Sequence, residues 1–283
     1  MSIHQTAYYL GIIMSGYIAG YVGEMWGWRH AFYIFGSIGI IHAVIMIFRL
    51  KDKKEEPEEP KPEEVSPKIE KPGIWESFLV VFKTPTALLL TLCFAGLIFV
   101  LTGYLTWMPT YLYENFHMDL AAAGFNSMFY THICAFFGVL IAGGLSDKLA
   151  RIKPGYRMAM QGVGLLAAVP FIFIMGNSTA LWLVYVGLAG FGFARAFFDA
   201  NTYTVLYDVI PEKYHSTASG VMIMIGFGIG ASAPVVLAAI KGTLGLSFGF
   251  AALSGVWLVC GILMILGSKI WYVKDYNKIN HEE

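Results

Sequence analysis

The sequence predicts an all-α, polytopic transmembrane helix bundle of about eight spans. Three observations predict it. First, 57% of the residues are hydrophobic and only 13% are charged, against about 45–50% and about 25% in soluble globular domains. Second, the apolar residues are gathered in blocks of about 20, the length needed to cross about 30 Å of hydrocarbon at about 1.5 Å per residue. Third, the breaks between blocks are short and polar or carry Gly and Pro, as at Gly27-Trp28-Arg29 and Asn177-Ser178. Gly and Pro inside the blocks do not veto them, because neighbouring helices re-satisfy the freed backbone groups.

The spans fall at 5–23, 30–50, 86–113, 121–146, 157–176, 179–208, 216–240 and 247–272. Residues 1–50 hold the first two. Residues 51–72 are a run of Lys, Glu and Pro that cannot bury a core, so they are expected to form an extended tether. Residues 73–272 open with an interfacial helix over 73–85, carrying Trp75, Phe78 and Phe82, and continue through the other six spans. Residues 273–283 form a polar tail. With the N-terminus inside, 16 of the 19 basic residues fall on the inner side, Arg29 and Lys241 on the outer side, and Arg195 within a span. That asymmetry sets the orientation, with both termini and the tether cytoplasmic; the membrane expected is the plasma (inner) membrane.

Composition also excludes functions. A net charge of zero argues against a nucleic-acid partner. Cys93, Cys134 and Cys260 lie in apolar blocks at no metal or CxxC spacing, as reduced, buried thiols do. The first block lacks the basic start of a cleavable signal peptide. Gly190-Phe191-Gly192 has no βαβ context for a nucleotide fingerprint, and there is no Walker sequence, metal cluster or catalytic constellation. The chain is therefore not expected to be an enzyme or to hold a cofactor.

A weak internal repeat links the two ends. Ser2, Thr6-Ala7 and Gly11, Gly16, Gly20, Gly23 lead into Phe32-Tyr33-Ile34-Phe35-Gly36-Ser37. Ser216-Thr217-Ala218 and Gly220, Gly226, Gly228, Gly230 lead into Phe248-Gly249-Phe250 and Ser254-Gly255. Such repeats build many secondary transporters. They make the six spans after the tether one half of a molecule, and the two before it the tail of another half. Gly16 with Gly20, and Gly226 to Pro234, suit close helix packing.

Few polar side chains sit deep in the spans. Arg195 and Asp199 are four residues apart, on one helix face and far from either predicted end. An ionisable group at that depth costs a few kcal/mol and normally faces a cavity or a partner. Arg195 would hold an anionic substrate and Asp199 would exchange a proton or position the Arg; the other reading is a structural ion pair. Tyr104 and Trp107 lie just before the helix breaker Pro109, where they would stack on a substrate ring or belong to an aromatic belt; Tyr111 reads as a belt residue. Tyr130 and His132 sit near the start of the span 121–146. His132 is either a proton relay or a neutral histidine bonded to a carbonyl. His42, Tyr8 and Tyr9 carry weaker signals.

The stretch Gly143-Gly144-Leu145-Ser146-Asp147-Lys148-Leu149-Ala150-Arg151 resembles the signature loop of the major facilitator superfamily, G-x-x-x-D-R-x-G-R. It keeps the Gly, Asp and final Arg, with Lys148 for Arg and Ala150 for Gly. Pro211-Glu212-Lys213-Tyr214-His215-Ser216-Thr217-Ala218-Ser219-Gly220 is similar to the family's P-x-x-x-R-x-x-A-x-G, with His215 for Arg, and Gly27-Trp28-Arg29-His30-Ala31-Phe32 to its outer loop between helices five and six. The resemblance implies helices five to twelve of a twelve-helix transporter. It makes Gly143, Asp147, Lys148 and Arg151 a gating loop in which Asp147 pairs with a neighbouring helix N-terminus and basic side chains.

Within the family, Trp107-Met108-Pro109-Thr110-Tyr111-Leu112 is similar to the organophosphate antiporters and the anion:cation symporters. The former carry an Arg shortly before that Trp, where this chain has Leu101-Thr102-Gly103, which points away from phosphate esters. The resemblance implies a small organic anion such as a sugar acid, moved with H+ or Na+ as coupling ion by alternating access. Four further helices, or another chain, would complete the molecule. The competing expectations are a transporter-derived sensor or scaffold that binds without translocating, and an inactive fragment.

Overall fold

The computed structural model describes residues 2–49 and 73–281; the predicted tether lies outside them. Every regular element among the described residues is helical. They are α1 (Ser2–Trp26), α2 (Trp28–Arg49), α3 (Ile74–Lys83), α4 (Pro85–Phe116), α5 (Leu120–Ala150), α6 (Tyr156–Asn177), α7 (Leu181–Asp199), α8 (Thr202–Tyr207), α9 (His215–Gly230), α10 (Ala233–Gly267) and α11 (Val273–His281). A 3₁₀ turn, Glu212–Tyr214, precedes α9, and a π turn, Ser268–Tyr272, joins α10 to α11.

Local sequence explains the boundaries. Gly27 between α1 and α2 has φ 86, open to glycine without strain. Pro85 opens α4, where its missing N–H is no loss. His117 ends α4 in the left-handed region at φ 52. Asp119 caps α5 by accepting a hydrogen bond from the Ala122 N–H at 2.7 Å. Pro109 and Pro170 sit inside α4 and α6, as membrane helices allow.

Six stretches of the described residues are long and apolar enough to cross a membrane. The last, Glu212–Ile279, has 68 residues, long enough for two crossings. Its reversal lies inside α10 at Gly245, with φ 81 and ψ 163. A Cβ added at Gly249 would lie 2.6 Å from Leu237 Cδ2. In a straight helix those residues would be about 18 Å apart, so the arms 233–244 and 246–267 lie side by side. α1 is also apolar over the shorter stretch Gly11–Gly23, and the described helices form the polytopic bundle that the sequence predicts.

Three details differ from the sequence reading. The predicted signature loop is helical as far as Ala150, because Leu145–Ala150 contains no breaker. The span 179–208 divides at Ala200-Asn201 into α7 and α8. The polar tail is helical over Val273–His281, anchored where Asp275 Oδ2 accepts from the Thr86 N–H at 3.0 Å.

The helices pack as membrane helices do, through small residues that let backbones approach. A Cβ at Gly138 of α5 would meet the Phe193 carbonyl of α7 at 2.7 Å, and one at Gly162 of α6 would meet the Gly261 carbonyl of α10 at 2.9 Å. α6 thus lies along α7 and α10, α4 along α9 and α10, and α1 along α5, where Tyr17 meets Phe125 edge-on at 5.6 Å. α2 touches chiefly α1 and turns Ile40, Ile47 and Phe48 outwards. A helix apolar on all sides and exposed is stable in lipid, not in water.

Candidate functional site

A buried polar cluster is built around the crossing of α5 and α7. A Cβ at Gly192 would overlap the Thr131 carbonyl, so the two backbones are in contact there. One turn further along α7, Arg195 is 3% exposed, and its Nε lies 3.3 Å from Asp199 Oδ2. Asp199 is half-buried at the end of α7, where the helix loses its regular winding. The sequence-predicted pair is therefore an i, i+4 ion pair inside the apolar bundle.

The same crossing brings Tyr104 and His132 to Arg195. Its charge acts on both side chains. The Tyr104 hydroxyl sits between the Ser127 carbonyl and Thr131 Oγ1, the latter at 2.6 Å. Its single proton goes to the carbonyl, which can only accept, so Thr131 is left to donate to Tyr104. His132 Nδ1 lies 2.9 Å from the Met128 carbonyl, which fixes the ring proton on Nδ1 for the same reason. Phe191 stacks on Trp257 at 5.0 Å and tilts against Tyr104 at 5.1 Å, closing one wall.

The remaining aromatic candidates lie elsewhere. Trp107 Nε1 donates to the Pro234 carbonyl at 3.0 Å, and Lys241 Nζ lies 5.2 Å from its ring centre. Lys241 also pairs with Glu114 at 2.6 Å, so Trp107 fastens α4 to the first arm of α10. Tyr130 stacks on Tyr185 at 4.4 Å, ten residues or about 15 Å along α7 from Arg195. Tyr111 is not a belt residue: it is buried edge-on against Phe250, since α4 turns that face to α10.

At the end of the bundle formed by the α5–α6 connection, Asp147 and Arg157 are joined at 3.0 Å. Arg157 is the second residue of α6, so Asp147 also sits beside a helix N-terminus. Arg157 reaches Asp208 at 3.6 Å, and the Tyr272 hydroxyl donates to Asp208 at 2.5 Å. Burial pushes the Asp208 carboxyl above the usual range, against the pull of Tyr272, Arg157 and His215. Arg151 lines a cavity of about 350 Å³ there with Asp147, Arg157, Asp208 and Tyr276; Lys148 is exposed and Gly143 half-buried. His215 stacks on Tyr207 at 4.3 Å and its Nε2 meets the Ile210 carbonyl at 2.8 Å.

Sequence reasoning missed several partners. Ser127 and Thr131 hold Tyr104; Ser146 bonds Asn201 at 2.5 Å; Gln161 Nε2 bonds the Phe198 carbonyl at 3.2 Å beside the α7–α8 break. All are polar residues embedded in apolar runs, the signal that singled out Arg195.

The family model of the Major Facilitator Superfamily matches residues 1–234. The chain belongs to this superfamily. It is similar to the "Probable galactarate/D-glucarate transporter GudP" of Escherichia coli (strain K12), at 24% identity over 94% of this chain and 63% of that protein. It is also similar to the "Membrane sensor protein UhpC" of Salmonella typhimurium, at 25% identity over 77% of this chain and 50% of that one. A solved structure of a bacterial homologue of the human lysosomal transporter Spinster, inward-facing and unoccupied, superposes with TM-score 0.63 at 20% identity, over 91% of this chain and 60% of its own. That likeness shows the fold. The chain spans less than two thirds of the curated relatives named here. Its family is one of transporters and not of enzymes.

Proposed function

We propose that this chain forms the greater part of a secondary transporter for a small organic anion such as a sugar acid. The observation that carries the reading is the Arg195–Asp199 pair, buried in an apolar bundle beside His132 and Tyr104. A guanidinium held at that depth is suited to a substrate carboxylate, which it can bind bidentately. On binding, the carboxylate competes with Asp199 for Arg195, and Asp199, released from the guanidinium, exchanges a proton. That exchange couples substrate to H+; Asp199 and His132 are the proton-handling groups, and Na+ is the alternative coupling ion. Tyr104 meets the substrate beside Arg195, and Trp107 and Tyr130, farther along the bundle, meet it on its way to that site.

In this reading 1–50 are the last two helices of an N-terminal half, 51–72 a tether, 73–272 the interfacial helix and C-terminal half, and 273–283 the tail. Both termini are cytoplasmic and the membrane is the plasma membrane. Gly143, Asp147, Lys148 and Arg151 form a gating loop whose closed state the Asp147–Arg157 bond favours. Alternating access needs two halves rocking about a midplane site, so further helices or another chain supply the opposing wall.

Counterflow of labelled sugar acids in proteoliposomes tests the reading. Exchange of at least one sugar acid, abolished in Arg195→Ala, is the expected result; no exchange across the class refutes it. The relative named as a membrane sensor favours a second reading, ligand binding without translocation. Saturable binding with no counterflow would establish that reading instead.

A further inference from the structure

α3 has two unlike faces. Trp75, Leu79 and Phe82 fall at i, i+4 and i+7 on one of them and are 81%, 53% and 50% exposed. On the other, Val81 is fully buried and Phe78 packs on the core, against α4 and α9. Most other exposed apolar side chains among the described residues belong to the spanning helices, where lipid covers them. α3 has 10 residues and is too short to cross.

Its position says what covers it. Only Thr84 separates α3 from Pro85, the first residue of spanning α4, and the Thr84 N–H donates to the Val80 carbonyl at 3.1 Å. The apolar stripe therefore lies within a turn or two of the depth at which α4 enters the membrane. α11 is tied to the same point through Asp275 and the Thr86 N–H.

The exposed charges around this point are mostly basic. Glu76 is exposed but accepts from the Tyr214 hydroxyl, and Asp275 accepts from the Thr86 N–H of α4. Lys83, Lys213, Lys274 and Lys278 are exposed; Glu212 is exposed beside Lys213. A tryptophan-bearing apolar stripe flanked by outward lysines matches a leaflet surface with anionic headgroups.

We propose that α3 is a membrane-surface anchor. Trp75, Leu79 and Phe82 sit at the boundary between headgroups and acyl chains of the leaflet that α4 enters. Lys83 and Lys213, with Lys274 and Lys278 alongside, hold anionic phospholipid headgroups. This does not depend on the transport reading. It fixes the base of α4, the helix that carries Tyr104 and Trp107, to the bilayer rather than to the cytosol.

The test uses the full chain with Cys93, Cys134 and Cys260 replaced by Ala, in phosphatidylcholine nanodiscs with and without phosphatidylglycerol. A spin label is placed at Leu79→Cys and, as a water-facing control, at Glu212→Cys. At 79, collisions with oxygen should exceed those with a water-soluble nickel complex several-fold, and at 212 the order should reverse. Phosphatidylglycerol should immobilise the label at 79 further, and Lys83→Gln with Lys213→Gln should remove that effect. Free access of nickel at 79 would mean the stripe faces water; access by neither probe would mean that protein covers it. Either result overturns the anchor, and indifference to phosphatidylglycerol overturns its anionic preference.

Discussion

At the scale of single residues, Arg195 separates a ligand site from a structural ion pair. A guanidinium buried only to hold Asp199 would be destabilising to remove, because truncation strands a half-buried carboxylate; for fully buried pairs such losses run to about 3–5 kcal/mol. If Arg195 instead reads substrate, Arg195→Ala should abolish counterflow while insertion and monodispersity in detergent stay close to wild type. Arg195→Ala/Asp199→Asn, which leaves no stranded charge, separates the two effects: stability that returns without transport assigns Arg195 to the ligand. Asp199→Asn alone should flatten the pH profile of uptake, and an unchanged profile would remove Asp199 from proton coupling. Asp208 carries a pH prediction for stability. Its carboxyl titrates higher folded than unfolded, so the folded state takes up the proton first. Its contribution to stability is therefore lowest at neutral pH, grows as pH falls through the raised value, and is complete below the ordinary carboxylate range. Melting temperatures of wild type relative to Asp208→Asn should rise from neutral pH towards pH 4; a difference growing the other way would mean that the Arg157 contact outweighs burial.

At the scale of elements, the spans were legible because each block of about 20 apolar residues has one stable fate in a bilayer. The ion pair was legible too, because charge inside such a block is conspicuous. Tyr104 was not: its sequence neighbours Trp107 and Pro109 suggest an interface, whereas its hydroxyl is consumed by Ser127 and Thr131 of another helix. Spacing along one helix does not report which helix lies opposite. Nor did the sequence show that α5 and α7 touch at Gly192, the contact that assembles the cluster. Gly192→Ala should force those helices apart, at about 1–3 kcal/mol for an overpacked contact, and lower the melting temperature in detergent. Gly245→Ala addresses a different element. At φ 81 and ψ 163 a side chain is strained by about 1–3 kcal/mol, so the reversal between the two arms should loosen. A proteolytic cut near Lys241 should then appear in the variant and be absent from wild type.

At the scale of the whole molecule, the repeat between the two ends gains physical content from the contact of α1 with α5. In the sequence α1 corresponds to the region of α9, whose face around Met224 and Phe227 is exposed. A helix that buries its face against the opposite half at one end of the repeat implies a like requirement at the other. Uptake should therefore be measured in a transporter-null host for this 283-residue chain and for a version carrying four further helices before it. Transport by the long form alone is expected, with Arg195→Ala silent in that background. Transport by the short form would require it to build a second half from another copy or another chain. Crosslinking through a cysteine at Phe227 would then capture that partner, and the two-half geometry would hold between chains instead of within one.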